Sequence, residues 1–353
     1  MINKKRKSSF IFKAVISFSV IVASAGAFWI YNIYKSIYLP NVNLHGQKTS
    51  YIYIPTRSTF DDLINILYKN NFLDNTSSFR WVAEKKKLKY NINPGKYLLK
   101  TGMNNNDLIN MLRSGKQEPV RLVLNSVRTK QQLAEKVSMR IEADSVSILQ
   151  LLNDETFLEK YRLTKESAMA LFIPNTYEFY WNTSAIQFID RMAKEYVDFW
   201  TKERQEKADA ISLSRVEVAI LASIVHQETA KNDEKPTIAG VYINRLKKGM
   251  RLEADPTLVF AMGDFSINRV LNVHKEIESP YNTYKFTGLP PGPICMPSVN
   301  SLNSVLNYEK HAYLYFCARE DFSGYHNFAK TYAQHRINAA RFRSELNRRK
   351  ILN

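Results

Sequence analysis

The hydrophobic pattern of the chain begins with one long uncharged run. Residues 14–34 contain no charged side chain. At about 1.5 Å of rise per residue, a helix of this length crosses the roughly 30 Å hydrocarbon core of a bilayer. Lysine and arginine side chains cluster before the run, at residues 4–7. Because basic residues stay on the cytoplasmic side, we predict a cytoplasmic basic tail at 1–13, a transmembrane helix at 14–34 and an exported remainder.

A cleaved signal peptide is the alternative interpretation of this segment. The small residues 25–27 resemble a cleavage site. The apolar run continues past them through residues 28–31, which favours an uncleaved anchor. Under both interpretations the main body of the chain is exported.

Short strand–helix units repeat between residues 51 and 125. The pattern predicts a strand at 51–54 followed by a helix with an apolar face, and the same order returns at 95–112. A third, weaker copy begins at 120–124. Units of this kind pack as a small α+β module, which serves either as a spacer or as a glycan-binding module. The polar residues 35–50 before it are predicted to be a juxtamembrane linker.

The rest of the chain, residues 126–353, is predicted to form a larger domain of mixed helices and strands. Apolar residues at helical spacing predict helices at 146–152 and 185–200. The aromatic-rich segment 172–180 between them is interpreted as core, because buried aromatic side chains are more common than sugar-stacking ones. The fold class expected for the whole chain is therefore α+β.

A helix predicted at 216–230 carries the strongest candidate for chemistry. It is apolar nearly all round, which indicates a buried helix. Glu228 ends a stripe that also contains Leu221 and Ile224. Partial burial and the negative end of the helix dipole should both raise the pKa of the Glu228 carboxyl. A carboxylic acid that stays protonated near neutral pH is what a general acid requires.

The helix alone leaves a second interpretation of Glu228 open. The carboxylate could form a structural ion pair with Lys231 or Arg245. His226 lies roughly 200° around the helix from Glu228, so it is predicted to face elsewhere and to be structural.

Two further segments follow this helix. A second apolar helix is predicted at 238–246, and a loop at 281–294 is dense in hydroxyls, amides and prolines. Hydroxyls and amides are groups that bind sugars. Prolines make the loop rigid, so the loop loses little conformational entropy when it binds a ligand.

Several motifs in one order resemble the YceG-like endolytic murein transglycosylases. The resemblance covers most of residues 45–345 and is densest at 216–330. The motifs that carry it are residues 223–229, 240–246, 249–252, 255–257, 281–284, 288–294 and Pro297.

The resemblance implies a peptidoglycan lytic transglycosylase with Glu228 as its catalytic acid/base. It also implies a LysM-like module before the catalytic domain and a single-pass anchor in the bacterial inner membrane, with the catalytic domain in the periplasm. The chain departs from the family at His226, often Glu, at Glu253, often Gln, and at Asn175, often Asp. The first departure leaves Glu228 as the one carboxylate on its motif.

Partners and site residues follow from the same resemblance. Glycan strands and the membrane are expected partners, with cell-wall synthesis enzymes as a further one, and the enzyme would terminate or trim nascent strands. The net charge of +17 fits an anionic partner. Nucleic acid is not expected, because the sequence shows no basic helix with interleaved aromatic residues. No cofactor or metal is expected, because the cysteines and histidines lack ligand spacing. The expected substrate-binding residues are Asn244, Asp255, Thr257, Tyr281, Asn282, Thr283, Tyr284 and Pro290.

A lytic transglycosylase needs only one carboxyl group. The acid protonates the oxygen between N-acetylmuramic acid and N-acetylglucosamine, and the 6-hydroxyl of the muramic acid then closes a 1,6-anhydro ring. One alternative is a hydrolytic muramidase that uses Glu228 with Asp255 or Glu253. The other is a scaffold that binds the cell wall without cutting it.

Overall fold

The computed structural model describes residues 2–267 and 269–349, with side chains from residue 11 onward. The chain divides into two compact units. The first comprises the residues up to Val120 together with Phe179–Asn182, and the second comprises Arg121–Glu178 and the residues from Thr183 onward. The boundary was predicted after residue 125, directly after the strand Val120–Leu124, whereas the two units divide at the start of that strand. A mixed α+β architecture is confirmed.

The chain begins with helix α1 (Ile2–Tyr38). Its segment Ile11–Tyr38 is long and apolar enough to cross a membrane, with a mean hydropathy of 1.9 over its most apolar window. The side chains of this window are not buried inside the protein. The apolar helix is therefore compatible with a single-pass anchor, and it continues past the predicted end at residue 34.

The first unit places two helices between two paired strands. The strands pair antiparallel, with Tyr51 opposite Leu98. The repeated strand–helix order is confirmed, while helix α3 was not predicted. The elements are β1 (Thr49–Ile54), α2 (Phe60–Lys69), α3 (Thr76–Lys85), β2 (Gly95–Lys100) and α4 (Asn105–Ser114).

The segment predicted as a polar linker is partly built into the first unit. Val42 and Leu44 are buried in its core, and Val42 forms a β-bridge with Leu73. The Asn41 side-chain amide donates to Asn105 Oδ1 at 2.7 Å. The prediction of a linker is therefore wrong for residues 41–44, which belong to the packed part of the first unit.

The second unit is mainly helical, with two small two-stranded sheets. Strand β3 (Val120–Leu124) neighbours β4 (Asn175–Phe179), and β5 (Tyr315–Ala318) pairs antiparallel with β6 (His326–Ala329). The predicted helices at 146–152 and 185–200 are confirmed. The α-helices are α5 (Lys130–Ser138), α6 (Ser145–Leu151), α7 (Glu155–Glu159), α8 (Ala185–Phe199), α9 (Lys202–Ala210), α10 (Arg215–Glu228), α11 (Lys235–Lys247), α12 (Asp255–Met262), α13 (Val299–Leu306) and α14 (Tyr332–Arg348).

Helix α10 lies at the centre of the second core. Every residue from Val218 to Val225 is buried, and the helix packs against α11, α12 and α13. A capping box fixes its start, because Ser214 Oγ accepts from the Glu217 amide and the Glu217 carboxylate accepts from the Ser214 amide. The predicted buried helix is confirmed.

The aromatic segment before α8 also lies in a core. Phe172, Tyr177 and Phe179 are buried, and the Phe172 ring stacks on Phe188 at 6.0 Å between centroids. The interpretation of residues 172–180 as core is therefore confirmed for these three side chains.

Candidate active site

Glu228 is the last residue of helix α10. The helix stops there because Thr229 adopts an extended backbone, with φ −145° and ψ 140°. The residue keeps a partly exposed edge, while protein atoms surround its carboxyl group. This burial is the largest effect on the group and raises the pKa of Glu228 from 4.5 to about 7. Glu228 therefore keeps its proton to a higher pH than an exposed glutamate does.

A tyrosine from the neighbouring helix contacts this carboxyl group directly. The Tyr242 hydroxyl, on α11, donates a hydrogen bond to Glu228 Oε1. The bond favours the carboxylate and lowers the pKa of Glu228, against the effect of burial. Burial and the nearby Glu228 in turn raise the pKa of Tyr242 well above its usual value. Tyr242 therefore remains a protonated donor.

Two more charged groups act on Glu228 from a distance. Asp255, at the start of α12, raises the pKa of Glu228, and Arg245 lowers it. Asp255 is exposed and accepts a hydrogen bond of 2.5 Å from the Tyr284 hydroxyl. Burial and this bond raise the pKa of Tyr284 well above its ordinary range. Two carboxyl groups, each paired with a phenol, thus belong to one electrostatic network.

Glu228 does not form the structural ion pair with Lys231 or Arg245 that the sequence had left open. Arg245 is buried, pairs with Glu253 at 3.1 Å and donates to the Leu314 carbonyl at 2.6 Å. Within the described part of the chain, no Lys, Arg or His nitrogen lies within 4.0 Å of the Glu228 carboxylate, Lys231 included. His226 faces elsewhere, as predicted, because its Nδ1 lies 3.2 Å from Ser301 Oγ on α13.

Three of the expected substrate-binding residues are buried and bonded within the protein. Asn282 is fully buried, and its amide donates to the carbonyls of Lys275 and Ile277, both at 2.9 Å. Thr257 and Thr283 are also buried, with their hydroxyl oxygens 2.9 Å apart. These groups define the shape of the loop that carries Tyr284.

The remaining expected residues take up different positions. The Asn244 side chain donates to the carbonyls of His311 and Tyr313, at 2.8 and 3.0 Å. Tyr281 packs its ring on Phe260, with centroids 4.8 Å apart, and Pro290 is buried. Asp255 and Tyr284 are therefore the expected residues that the structure brings into the electrostatic network of Glu228.

Glu228 lies on the lining of a cavity of about 400 Å³. Asp255, Gln227 and two arginines, Arg128 and Arg269, supply its other polar groups. Apolar side chains complete the lining. They include Pro256, Val259, Phe260, Phe265, Ile267 and Ile294.

Sequence reasoning missed Tyr242, Gln227 and Arg128. A hydroxyl in the otherwise apolar helix at 238–243 was the available signal for Tyr242, because a buried tyrosine usually needs a partner for its O–H. Arg128 lies outside the resembling motifs, in the turn before α5, and no local pattern connects it with Glu228. Arg128 and Glu228 lie far apart along the chain, and the fold brings both to the lining of one cavity.

The described residues offer no obvious metal site. Among them, no group of three or more His, Cys, Asp and Glu side chains is placed to hold an ion. Cys295 and Cys317 are both free thiols, the first of them buried.

The site combines a buried helix that ends in one titratable carboxyl group with a cavity that has polar and apolar sides. Enzymes that use acid–base catalysis have sites of this class. The profile of the YceG-like family matches residues 52–341. The chain belongs to the YceG-like family, as its motifs predicted.

The relatives of this chain include named enzymes and a solved structure. An endolytic murein transglycosylase of Bacillus subtilis is 30% identical over 322 residues, which cover 86% of this chain and 87% of the relative. One of Streptococcus pneumoniae (serotype 2, strain D39) is 29% identical over 337 residues, covering 86% of this chain and 60% of the relative. The crystal structure of a yceG-like protein from Listeria monocytogenes superimposes with a TM-score of 0.54 at 29% identity, over 82% of this chain and 98% of that one.

Proposed function

We propose that this chain is a membrane-anchored lytic transglycosylase that cuts inside peptidoglycan strands, with Glu228 as its single acid/base. The enzyme class is confirmed by relatives of that name, which match most of the chain at about 30% identity. The observation that carries the assignment of Glu228 is its buried carboxyl group, whose pKa is raised to about 7. A group with this pKa both donates and accepts a proton near neutral pH.

In the first step Glu228 acts as the acid. Its proton passes to the glycosidic oxygen between N-acetylmuramic acid and N-acetylglucosamine. The bond between this oxygen and the anomeric carbon of the muramic acid then breaks, and an oxocarbenium-like centre forms at that carbon. The carboxylate that remains is stabilised by the Tyr242 hydroxyl, which already donates to Oε1. Asp255 and its partner Tyr284 provide a second negative charge in the network, which favours the positive centre.

In the second step the same carboxylate acts as the base. It takes the proton of the muramic acid 6-hydroxyl while that oxygen bonds to the anomeric carbon of the same sugar. The product end is a 1,6-anhydro ring, and Glu228 is protonated again. Because the nucleophile belongs to the substrate, its attack gains the advantage of an intramolecular reaction.

The expected substrate-binding residues divide into two groups under this proposal. Asp255, Tyr281 and Tyr284 keep partly or largely exposed side chains, which can contact sugars. Thr257, Asn282, Thr283 and Pro290 act indirectly, because they are buried and help to fix the loop that carries Tyr281 and Tyr284. Asn244 also acts indirectly, because its side chain holds the segment at His311 and Tyr313 through two hydrogen bonds.

The first unit and helix α1 complete the proposal. We propose that the unit is a LysM-like module that binds glycan, supported by its order of strand, two helices and strand. Basic residues before the apolar segment favour a cytoplasmic N-terminus, with both units on the outer face of the inner membrane. Strand termination and contact with cell-wall synthesis enzymes would follow from that location.

Mass spectrometry of digested peptidoglycan tests the reaction. Purified protein should release fragments that end in 1,6-anhydromuramic acid from intact sacculi. Glu228→Gln keeps size and hydrogen bonding but removes the titrating proton, so turnover should fall by about 10²–10⁴-fold. The matched change Glu206→Gln, at an exposed site on α9, should leave turnover unchanged.

Other products would identify the rival functions. Reducing muramic acid ends, lost on Glu253→Gln or Asp255→Asn, would indicate a hydrolytic muramidase. Binding to sacculi without any cut strand would indicate a scaffold. If Glu228→Gln retains more than about a tenth of the wild-type turnover, the single-acid mechanism at this residue is wrong.

A further inference from the structure

The cavity beside Glu228 holds an arginine that the acid–base chemistry does not use. Arg128 immediately precedes Thr129, the N-cap of α5, and lines the cavity together with Glu228. Its Nη2 donates to Gln227 Oε1 at 3.0 Å. Its guanidinium carbon lies 4.9 Å from the centroid of the Phe265 ring. Two contacts of different kinds thus fix the position of this cation.

Most of the hydrogen-bonding capacity of Arg128 is unused inside the protein. A guanidinium group carries five N–H donors in a planar fork. Within the part of the chain that the structure describes, the contact with Gln227 is the one hydrogen bond that this side chain donates. The fork matches the two oxygens of a carboxylate, which it binds through paired hydrogen bonds. Arg128 is therefore suited to an anionic group of a ligand.

The surroundings of Arg128 indicate where that anionic group lies on the ligand. Arg128 donates its hydrogen bond to Gln227, and Gln227 immediately precedes the catalytic candidate Glu228 in the chain. The guanidinium group is therefore held close to the residue that carries the acid. The same cavity presents apolar side chains, Phe260 and Phe265 among them. A sugar at the cleaved bond, with a substituent that is part apolar and part anionic, matches this combination of groups.

We propose that Arg128 binds a carboxylate carried by the substituent of the muramic acid residue at the cleaved bond, so that the enzyme selects anionic strands. The inference rests on the proposed function, since it assigns a substrate class to that site. Two sources supply such a carboxylate. Strands stripped of peptide carry it on the lactyl group, and peptide-bearing strands carry it on the stem peptide.

Chemical neutralisation of the substrate tests the proposal. Peptide-bearing strands and amidase-stripped strands are each assayed before and after carbodiimide coupling of their carboxylates to ammonia, with release of anhydro ends as the readout. For the strand type that carries the bound carboxylate, coupling should raise the wild-type KM by about tenfold, the loss expected for a hydrogen-bonded charge pair. The value of kcat should change less, because the proton transfers do not involve Arg128.

Variants connect that effect to the residue. Arg128→Gln should raise KM on untreated strands by a similar factor and abolish the effect of coupling. Arg128→Lys keeps the charge but not the fork, so it should respond to coupling more weakly than the wild type. The control Arg140→Gln, at an exposed site beyond the other end of α5, should behave like the wild type.

The outcomes separate this proposal from the proposed function. A wild-type KM that is unchanged by coupling on both strand types overturns the role of Arg128, without recourse to any variant. So does an Arg128→Gln variant with native thermal stability that remains as sensitive to coupling as the wild type. Absence of anhydro ends from every strand tested with the wild type would instead overturn the transglycosylase reaction itself.

Discussion

At the scale of single residues, the Glu228 carboxyl group is subject to opposing influences. Burial and Asp255 favour its protonated form, and the Tyr242 hydroxyl and Arg245 favour the carboxylate. The resulting pKa of about 7 suits a group that must give up a proton and then recover one. Changes to either side of this balance have measurable consequences.

The first consequence concerns stability and pH. Because the folded-state pKa of Glu228 is raised from 4.5 to about 7, stability falls as the pH rises from about 4.5 to about 7 and stays at its reduced value above that. Below about pH 4 the group has no effect on stability, because it is protonated in both states. The upper bound of this stability penalty is roughly 3–4 kcal/mol. Glu228→Gln should therefore melt at a higher temperature than the wild type at pH 8 and at the same temperature at pH 4. Equal differences in Tm at the two pH values would contradict the raised pKa.

The second consequence concerns activity and pH. Tyr242→Phe removes the donor that stabilises the carboxylate, so the pKa of Glu228 should rise further. Since the first step needs the protonated acid, the decline of kcat at alkaline pH should begin at a higher pH than in the wild type. The profile of kcat against pH measures this shift. Tyr308→Phe, which removes a hydroxyl that is not bonded to a carboxyl group, should leave the profile unchanged.

At the scale of secondary-structure elements, periodicity predicted the elements that bury a long apolar face. Helix α10 was predicted because its apolar residues leave few polar positions. The strand–helix repeat was predicted because the order of a strand and an apolar-faced helix at 51–67 returns at 95–112. Helix α3 escaped prediction because Phe79, Val82 and Ala83 supply only a narrow buried stripe. Local sequence does not show that this stripe meets a core.

The loop that carries Tyr284 shows the limit for the candidate site. Asn282 and Thr283 were expected to bind sugars because amides and hydroxyls do so. The same groups also satisfy buried carbonyls and amides, and the fold uses them in that way. Sequence cannot distinguish these uses, since both depend on neighbours that are remote along the chain. Their contribution to substrate binding stays a prediction.

The strands and helices of the first unit lead to a prediction at the same scale. A chain that lacks the elements from β1 to α4, residues 49–114, should bind intact sacculi more weakly, because the proposed glycan-binding surface is gone. Cutting of short soluble strands should decline less, because the cavity belongs to the second unit. Pull-down with sacculi and release of anhydro ends measure the two effects. Equal losses on both substrates would mean that the module is only structural.

At the scale of the whole molecule, the apolar helix α1 is compatible with a single-pass membrane anchor. The segment Ile11–Tyr38 meets the length and hydropathy of a membrane span. Full-length protein should therefore sediment with the membrane and resist extraction with salt, and a C-terminal tag should be accessible to protease added outside the inner membrane. Recovery of a soluble protein whose N-terminus lies near Phe28 would show instead that a signal peptide is cleaved.

The junction between α1 and the rest of the first unit contains no flexible linker. Helix α1 continues to Tyr38 and packs against α3 and α4, and the Asn105 amide donates to the Ser36 carbonyl at 2.8 Å. Pro40 already forms a β-bridge with Asn104. With α1 embedded in a bilayer, no flexible linker would separate the membrane helix from the rest of the first unit. That unit would therefore be held close to the lipid headgroups. The anchor and the first unit would then behave as one stiff element, and any freedom to move along the wall would have to come from the chain beyond that unit.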